Sequence, residues 1–437
     1  MKNTLRFFGI IALAALIGFS MAGCSSPTGN DDSGTPPPSA DAIELTSPIT
    51  ADRTLGPDKN YVYKGNNYLQ VNGGTLTVLQ GTTITFTQVY GGLEINDGAM
   101  LTMNGTAAKP IILQGQGVGK GRWAGIYLYN NTADNSINYV KLLAPGSDTL
   151  DYAAGVLIHE SKLSMTNCLI DNSKGYGLTI RNNGISNNAE LVTFTGNTIS
   201  NCAKYPVCAD QSATSYQLRN ITNDNPFYAW TGNGTNNMIY IPNGYDVRFD
   251  GSYTIHSLRS LNPGTSTYST IPWYFPDGLR LSDFVTGSDV TIEAGADIIL
   301  GSGSYIQVPV DCHLIAEGTV ANHITFRPLP GSTAWGNIWI ASQTRGSKLN
   351  YCDISGGGTN PTKLYQGLVY VEANSVANAY LEINNTTLTD SSNYGLFFKG
   401  NSSGPHVCYI ANSTTLTYTR CISGTIGGAL HVDYEWE

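Results

Sequence analysis

Charged side chains are scarce in this sequence. Asp, Glu, Lys and Arg together make up 13% of its 437 residues, about half the usual share. Long surface helices need Glu, Lys and Arg on their exposed side, so this composition disfavours them. The net charge is −9 and no Lys/Arg cluster is available to neutralise phosphates, which argues against a nucleic-acid partner. Plentiful Gly (49) and Tyr (26) instead favour strands joined by tight turns.

Metal-binding patterns are also missing. No C-x-x-C pair or Cys–His spacing indicates zinc, and the calcium-binding Gly-Gly-x-Gly-x-Asp repeat does not occur, so we predict no metal and no cofactor.

Seven cysteines follow the N-terminal region, an odd number that leaves at least one unpaired. Cys202 with Cys208, or Cys408 with Cys421, could close small loops, whereas Cys352 has the surroundings of a buried free thiol.

The sequence has one long apolar run, and it lies at the N-terminus. Lys2 and Arg6 precede Phe7–Phe19, an apolar stretch too short for a comfortable membrane span. The run ends in Met21-Ala-Gly-Cys24, which resembles the lipobox of bacterial lipoproteins. The resemblance implies that residues 1–23 are a cleaved signal peptide and that Cys24 is lipidated. The alternative is an ordinary secretory signal with a chance cysteine.

The residues after Cys24 add to this expectation. Ser25 stands where many lipoproteins of an inner membrane carry Asp, so we expect the outer membrane of a bacterial envelope. Residues 24–42 are rich in Ser, Pro and Gly without apolar periodicity, and we interpret them as a flexible tether. The predicted partner is therefore the membrane, to which the lipid on Cys24 would anchor the protein.

One strand-like segment recurs along the rest of the chain. Its first clear copy is Arg122-Trp-Ala-Gly-Ile-Tyr-Leu-Tyr129, where apolar residues alternate with more polar ones at the period of a strand. Copies sit roughly 22 to 34 residues apart, the range of solenoid repeats. The related segments begin at Gly155, Gly177, Trp335, Gly367, Gly395 and Gly428. Three short strands per lap cannot bury their inner face alone, so successive laps must stack.

The sequence also contains a second repeat, whose period is much longer than that of the first. Matching segments are separated by between 212 residues (Trp123 to Trp335) and 219 residues (Cys202 to Cys421). We therefore predict a first half at residues 43–225, an irregular junction at residues 226–277 and a second half at residues 278–437. The junction could be a linker between two solenoids, but one continuous or nearly continuous rod is the preferred interpretation.

These elements resemble the right-handed parallel β-helix of bacterial cell-envelope proteins, whose repeats are pectate-lyase-like. The motifs that carry the resemblance are Leu76-Thr-Val-Leu-Gln-Gly-Thr-Thr-Ile84, Leu101-Thr-Met-Asn-Gly-Thr-Ala-Ala-Lys-Pro-Ile111, Trp123-Ala-Gly-Ile126 and Ile137-Asn-Tyr-Val140. The resemblance implies an all-β fold, a single-chain right-handed parallel β-helix with two tandem related halves. It specifies function poorly, because such coils serve enzymes, adhesins and binding surfaces.

Asparagine recurs at the expected turns between strands. Asn adopts the left-handed conformation readily and can form side-chain ladders along a stack of corners, so we assign these residues a structural role. The set comprises Asn167, Asn172, Asn197, Asn201, Asn384, Asn385 and Asn412.

Alternation along the repeated strand also predicts an outward stripe. With residues such as Ile126 and Leu128 inside, the candidate ligand-binding residues are Tyr127, Tyr129, His159, Arg181, Trp339, Phe397 and Lys399. Aromatic faces pack against the apolar side of sugar rings while polar neighbours bind hydroxyls. The structural alternative is that these aromatics only suit strands and pack under neighbouring loops.

No catalytic residues can be named. A glycoside hydrolase needs two carboxylates roughly 5 to 10 Å apart, and the stripe offers no stacked Asp or Glu pair. The favoured function is a non-catalytic binding or adhesion surface for glycan or another envelope or host ligand. The alternatives are a β-helical polysaccharide lyase or glycoside hydrolase, and a passive structural surface protein.

Overall fold

The computed structural model describes most of the chain after the N-terminal region. The described residues are 37–182, 189–210, 218, 220–222, 227–228, 230, 232–233, 236–242, 252–261, 267–281, 289–310, 312–341, 346–359, 367–373, 378–399, 408–411, 417–419 and 424–429. The predicted signal peptide, Cys24 and the first part of the tether lie outside them. Within these ranges, no helix has the length and hydropathy that a membrane-spanning segment requires.

Short strands account for almost all of the regular structure. The first part of the chain forms β1 (Ile43–Glu44), β2 (Arg53–Leu55), β3 (Asn60–Tyr63), β4 (Tyr68–Val71), β5 (Gly74–Leu79), β6 (Thr83–Phe86), β7 (Gly92–Ile95), β8 (Ala99–Asn104), β9 (Ile111–Gly115), β10 (Ile126–Tyr129), β11 (Asn135–Asn138), β12 (Val140–Leu143), β13 (Ala154–His159), β14 (Lys162–Thr166), β15 (Leu169–Asp171), β16 (Tyr176–Arg181), β17 (Glu190–Thr195), β18 (Thr198–Ser200) and β19 (Val207–Asp210).

The strands continue in the same manner after residue 210. They are β20 (Phe227–Tyr228), β21 (Ile239–Tyr240), β22 (Tyr253–Ile255), β23 (Leu258–Leu261), β24 (Tyr268–Ile271), β25 (Trp273–Phe275), β26 (Leu279–Arg280), β27 (Asp289–Ile292), β28 (Asp297–Leu300), β29 (Ile306–Val308), β30 (His313–Glu317), β31 (Ile324–Pro328), β32 (Ile338–Ala341), β33 (Lys348–Asn350), β34 (Cys352–Ser355), β35 (Gly367–Glu372), β36 (Ala379–Asn384), β37 (Thr387–Thr389), β38 (Tyr394–Lys399), β39 (Cys408–Ala411), β40 (Thr417–Thr419) and β41 (Gly424–Ala429).

The strands stack into long parallel sheets, which confirms the predicted parallel β-helix. From β3 to β19 and from β25 onward, each lap contributes one strand to each of three sheets, and neighbours within a sheet come from successive laps. The longest sheet has the order β4-β7-β10-β13-β16-β19-β21-β25-β28-β31-β34-β37-β40. It therefore runs through the predicted junction, although the exact limits of the two halves stay predictions. The described exception to parallel pairing among the named strands is β24, which pairs antiparallel with β23.

Interior side chains form columns along the axis. Val78, Met103, Ile137, Met165 and Phe194 occupy paired positions on five successive strands, and each is at most 1% exposed. Burying one such side chain contributes about 1.5 to 3 kcal/mol. Ile126 and Leu128, which are predicted to point inward from the repeated strand, lie in the interior core, as the period-2 assignment requires.

Four of the predicted asparagine turns are confirmed, whereas Asn384 is the last residue of β36 and Asn197 bonds through its side chain to Cys168 N and the Met165 carbonyl. Asn167, Asn172, Asn201 and Asn385 have φ between 46° and 60°, the left-handed region that Asn tolerates. Asn167 Nδ2 also donates to Asn138 Oδ1 of the preceding lap at 3.1 Å, one rung of a side-chain ladder. Asn412 lies outside the described residues.

Cys202 and Cys208 do not form the disulfide that their spacing allows. Both are free and buried, as are Cys168, Cys312 and Cys352. Cys202 packs in the main interior core, whereas Cys208 packs with Ala154 and Tyr176 in a separate cluster. The side chains of Cys408 and Cys421 lie outside the described part of the chain.

Equivalent strands of the two halves lie in different sheets. The β10 strand belongs to the thirteen-stranded sheet, whereas its repeat β32 belongs to the six-stranded sheet β26-β29-β32-β35-β38-β41. Their local contacts are nevertheless the same: Trp123 Nε1 donates to the Leu143 carbonyl at 2.9 Å, and Trp335 Nε1 to the Ser355 carbonyl at 2.8 Å. The second half is thus shifted by one face relative to the first.

Candidate functional site

The repeated strand β10 places two tyrosines on the outer side of the longest sheet. Ile126 and Leu128 are buried inside, so Tyr127 and Tyr129 point outward. Gly125 immediately precedes β10 and has a φ of 108°. A Cβ atom at this position would lie 2.5 Å from the Ala154 carbonyl oxygen. Only glycine allows the chain to enter the sheet this closely to the next lap.

Three tyrosines and one histidine form a contiguous cluster on this face. The ring centroids of Tyr68 and Tyr127 are 5.9 Å apart, and those of Tyr127 and Tyr129 are 5.5 Å apart. His159 lies 5.3 Å from Tyr129, and the Tyr127 hydroxyl is 2.9 Å from His159 Nδ1. We call Tyr68, Tyr127 and Tyr129 the tyrosine platform.

Residues 144–153, which connect β12 to β13, fold against the tyrosine platform. We call them the covering loop. The Tyr68 hydroxyl donates to Asp148 Oδ2 at 2.5 Å, and the Ser147 hydroxyl donates to the Val89 carbonyl. Arg181 lies over the Tyr152 ring, 3.8 Å from its centroid. The loop therefore reaches across several laps and bounds the platform on one side.

Burial and nearby negative charge raise the pKa of two platform tyrosines, Tyr68 and Tyr127. Burial raises the pKa of Tyr68, and the hydrogen bond to Asp148 and the charge of Glu94 raise it further. Burial also raises the pKa of Tyr127, with smaller contributions from Tyr152, Tyr129 and Glu94. Both hydroxyls therefore stay protonated at neutral pH, and both already bond within the protein, Tyr68 to Asp148 and Tyr127 to His159.

The predicted position of His159 on an open surface is wrong. Its side chain is on the outer side of the sheet, yet the residue is only 5% exposed. Arg181 is also largely covered, with a 13% exposed side chain 3.6 Å from Asp210. Alternation gives the side of the sheet on which a residue lies, but it does not reveal that other elements cover it.

Trp339, Phe397 and Lys399 do not join Tyr127 on one surface, because their strands β32 and β38 lie in the other sheet. Trp339 and Phe397 flank Tyr370, with ring centroids 6.2 Å from it on each side. Phe397 is 6% exposed, so its predicted outward exposure is also wrong. Lys399 Nζ lies 2.5 Å from Glu372 Oε1, an ion pair between adjacent strands.

The sequence prediction missed several residues of the platform. Glu94 pairs with Tyr127 in the sheet register and accepts a hydrogen bond from Gln70 Nε2 at 3.0 Å. It could have been found, because Leu93-Glu-Ile95 has the same alternation as β10. Asp148 and Tyr152 could not, because their places depend on the path of the covering loop.

A second tyrosine cluster also went unpredicted. The rings of Tyr205 and Tyr240 stack at 4.3 Å with an interplanar angle of 8°, and Tyr176 and Tyr274 pack beside them. Tyr240 and Tyr274 follow Cys208 in the register of the longest sheet. The cluster therefore lies farther along the same face as the tyrosine platform.

The structure also has a shallow groove of about 350 Å³, whose lining includes none of the three platform tyrosines. It lies where the chain leaves β4, β7 and β10, the last of which ends at Tyr129, and Thr75, Asp97 and Thr132 contribute to its lining. In the described part of the chain, no three His, Cys, Asp or Glu residues converge as metal ligands would.

Comparison with known proteins agrees with the fold and leaves the chemistry open. Residues 47–141 match the model of a family described as a pectate-lyase like beta helix domain. No curated protein and no solved structure matches the chain significantly. The matched segment contains the whole tyrosine platform, but it covers less than a quarter of the 437 residues.

Proposed function

We propose that this chain is a lipid-anchored β-helix protein of the bacterial envelope whose tyrosine platform binds glycan. The observation that carries the proposal is the clustering of three tyrosine rings on one outer face, with Tyr129 38% exposed. Such rings stack on the apolar side of a sugar. Glu94 and Gln70 lie beside them and can bind sugar hydroxyls.

Replacing Tyr129 with alanine should weaken glycan binding about tenfold, the loss expected when a central aromatic contact is removed. The measurement is binding of the purified mature protein to a glycan array, followed by titration of the best glycan. Tyr268→Ala is the matched control, because Tyr268 is a 55% exposed tyrosine on β24, away from the platform. It should bind as the unaltered protein does.

Two outcomes would count against the platform. Equal binding by Tyr129→Ala and the unaltered protein would place the ligand elsewhere. No binding to any arrayed glycan would favour the passive structural alternative.

A hydrolase is the second candidate function, and one observation favours it. Asp148 accepts the Tyr68 hydroxyl hydrogen bond while the charge of Glu94 also acts on Tyr68, so two carboxylates approach the same ring. Paired carboxylates are the usual machinery of glycoside hydrolysis. Release of reducing ends from a bound polysaccharide, lost in Asp148→Asn, would establish this activity, and unchanged polysaccharide would leave binding alone.

The lipid anchor rests on the lipobox resemblance at Met21–Cys24. Cys24→Ala should abolish acylation, because the thioether can form only on a cysteine side chain. In a bacterial host that processes lipoproteins, the unaltered protein should partition into detergent and outer-membrane fractions, whereas Cys24→Ala should stay in the aqueous fraction. Equal partitioning of both would argue for an ordinary secretory signal. Protease treatment of intact cells would then show on which side the rod lies.

A further inference from the structure

We infer that the platform selects neutral glycans and rejects polyuronates. The inference rests on the proposed function and names the ligand class of the same site. It follows from an imbalance among the described residues of this face: carboxylates border the tyrosine rings without cationic partners, while the nearby cations are already engaged. A polymer bearing one carboxylate per sugar would therefore meet like charge along its length.

Two acids border the platform, and a third lines the groove at the corner that follows β10. Glu94 lies between Gln70 and Tyr127 in the sheet register, Asp148 accepts the Tyr68 hydroxyl, and Asp97 lines the groove. Among the described residues, no Lys or Arg forms an ion pair with any of the three. Elsewhere in the described chain such pairs do occur, as between Lys109 and Asp58.

Two cations of this region, Arg181 and Lys204, are engaged by other groups of the protein. Arg181 contacts Asp210 at 3.6 Å and covers the Tyr152 ring. Lys204 Nζ donates to the Asp151 carbonyl at 2.5 Å and lies 4.7 Å above the Tyr176 ring. Binding a uronate carboxylate with either group would require breaking contacts that hold the covering loop.

The net negative charge of the whole chain also disfavours binding of polyuronates. The formal net charge is −9, and like charges at contact distance repel one another even in water. A neutral sugar avoids this cost, since its hydroxyls can donate to Glu94, Asp97 and Asp148. Thr75 and Thr132 in the groove add hydroxyl partners for the next sugar along the chain.

The direct comparison uses a polyuronate and the neutral polymer made by reducing its carboxylates to alcohols, so that backbone and linkage are the same. The unaltered mature protein should bind the neutral polymer at least about tenfold more tightly. Raising the salt concentration should narrow this difference, because salt screens exposed charges. Tighter binding to the polyuronate would overturn the inference while leaving the proposed function standing.

The double variant Glu94→Gln/Asp148→Asn tests which residues cause the rejection. Both changes keep the side-chain size and a carbonyl acceptor, and we expect polyuronate binding to rise about tenfold. The control Glu317→Gln/Glu382→Gln also removes two negative charges, from β30 and β36 in a different sheet, and should leave selectivity unchanged. An equal gain in both variants would assign the effect to net charge and overturn the role of the platform acids. Failure of every polymer to bind would instead refute the proposed function itself.

Discussion

Trp123→Ala should lower the free energy of unfolding by about 3 to 5 kcal/mol, the range for removing a fully buried aromatic side chain. Trp123 is 0% exposed and stacks on Phe86 with ring centroids 4.6 Å apart and an interplanar angle of 7°. Its indole N–H also donates to the Leu143 carbonyl, so alanine leaves a cavity and removes this hydrogen bond.

Equilibrium urea unfolding, followed by far-ultraviolet circular dichroism, measures this loss. Trp335→Ala should cost a similar amount, because Trp335 is equally buried and makes the equivalent hydrogen bond. Trp339→Ala is the control, since Trp339 is only partly buried on the outer side of β32, and it should cost less than half as much. Equal losses at Trp123 and Trp339 would mean that the assignment of inner and outer sides is wrong.

The sequence was sufficient to predict the coil. Alternation in segments such as Ile126-Tyr-Leu-Tyr129 separates the inner from the outer side, because strand side chains alternate and the interior must be apolar. Turn positions such as Asn167 follow from a local property, the tolerance of Asn for positive φ. Both signals lie within a few residues of the chain, so they do not depend on how distant segments meet.

The burial of the outer side chains could not be predicted in this way. His159 occupies the predicted side of its strand, yet whether it is open to solvent depends on elements from other laps. The covering loop illustrates the difficulty: its Asp148 reaches Tyr68, which is 80 residues earlier. A hydrogen bond of that range has no signal in the local pattern.

The sequence also did not reveal that equivalent strands of the two halves lie in different sheets. The repeat correctly relates Trp123 to Trp335, and this relation suggested that Tyr127 and Trp339 share one stripe. The irregular junction contributes β21 and β25 to the longest sheet. In the second half this sheet continues with β28 and β31, not with β32, which is the repeat of β10. The candidate residues are thereby divided between two sheets, and only Tyr127, Tyr129, His159 and Arg181 remain together.

The central structural claim is that the sheet carrying the tyrosine platform continues through the junction, with β21 following β19. Its most direct test is the disulfide state of Tyr240→Cys produced in an oxidising compartment. Tyr240 pairs with the native Cys208 in the register, and adjacent strands lie about 4.8 Å apart, within the Cα separation of a disulfide. Forming the bridge during folding avoids relying on the buried thiol, whose pKa burial raises.

Mass spectrometry of the digested Tyr240→Cys variant should find Cys208 bridged to the introduced thiol at position 240 in most molecules. Tyr274→Cys is the control, because residue 274 pairs with residue 240 and therefore lies two strands, or about 9.6 Å, from Cys208. Its introduced thiol should form no bridge to Cys208. A bridge from Cys208 to position 274, or no bridge in Tyr240→Cys, would contradict the continuous sheet and with it the division of the candidate residues between two sheets.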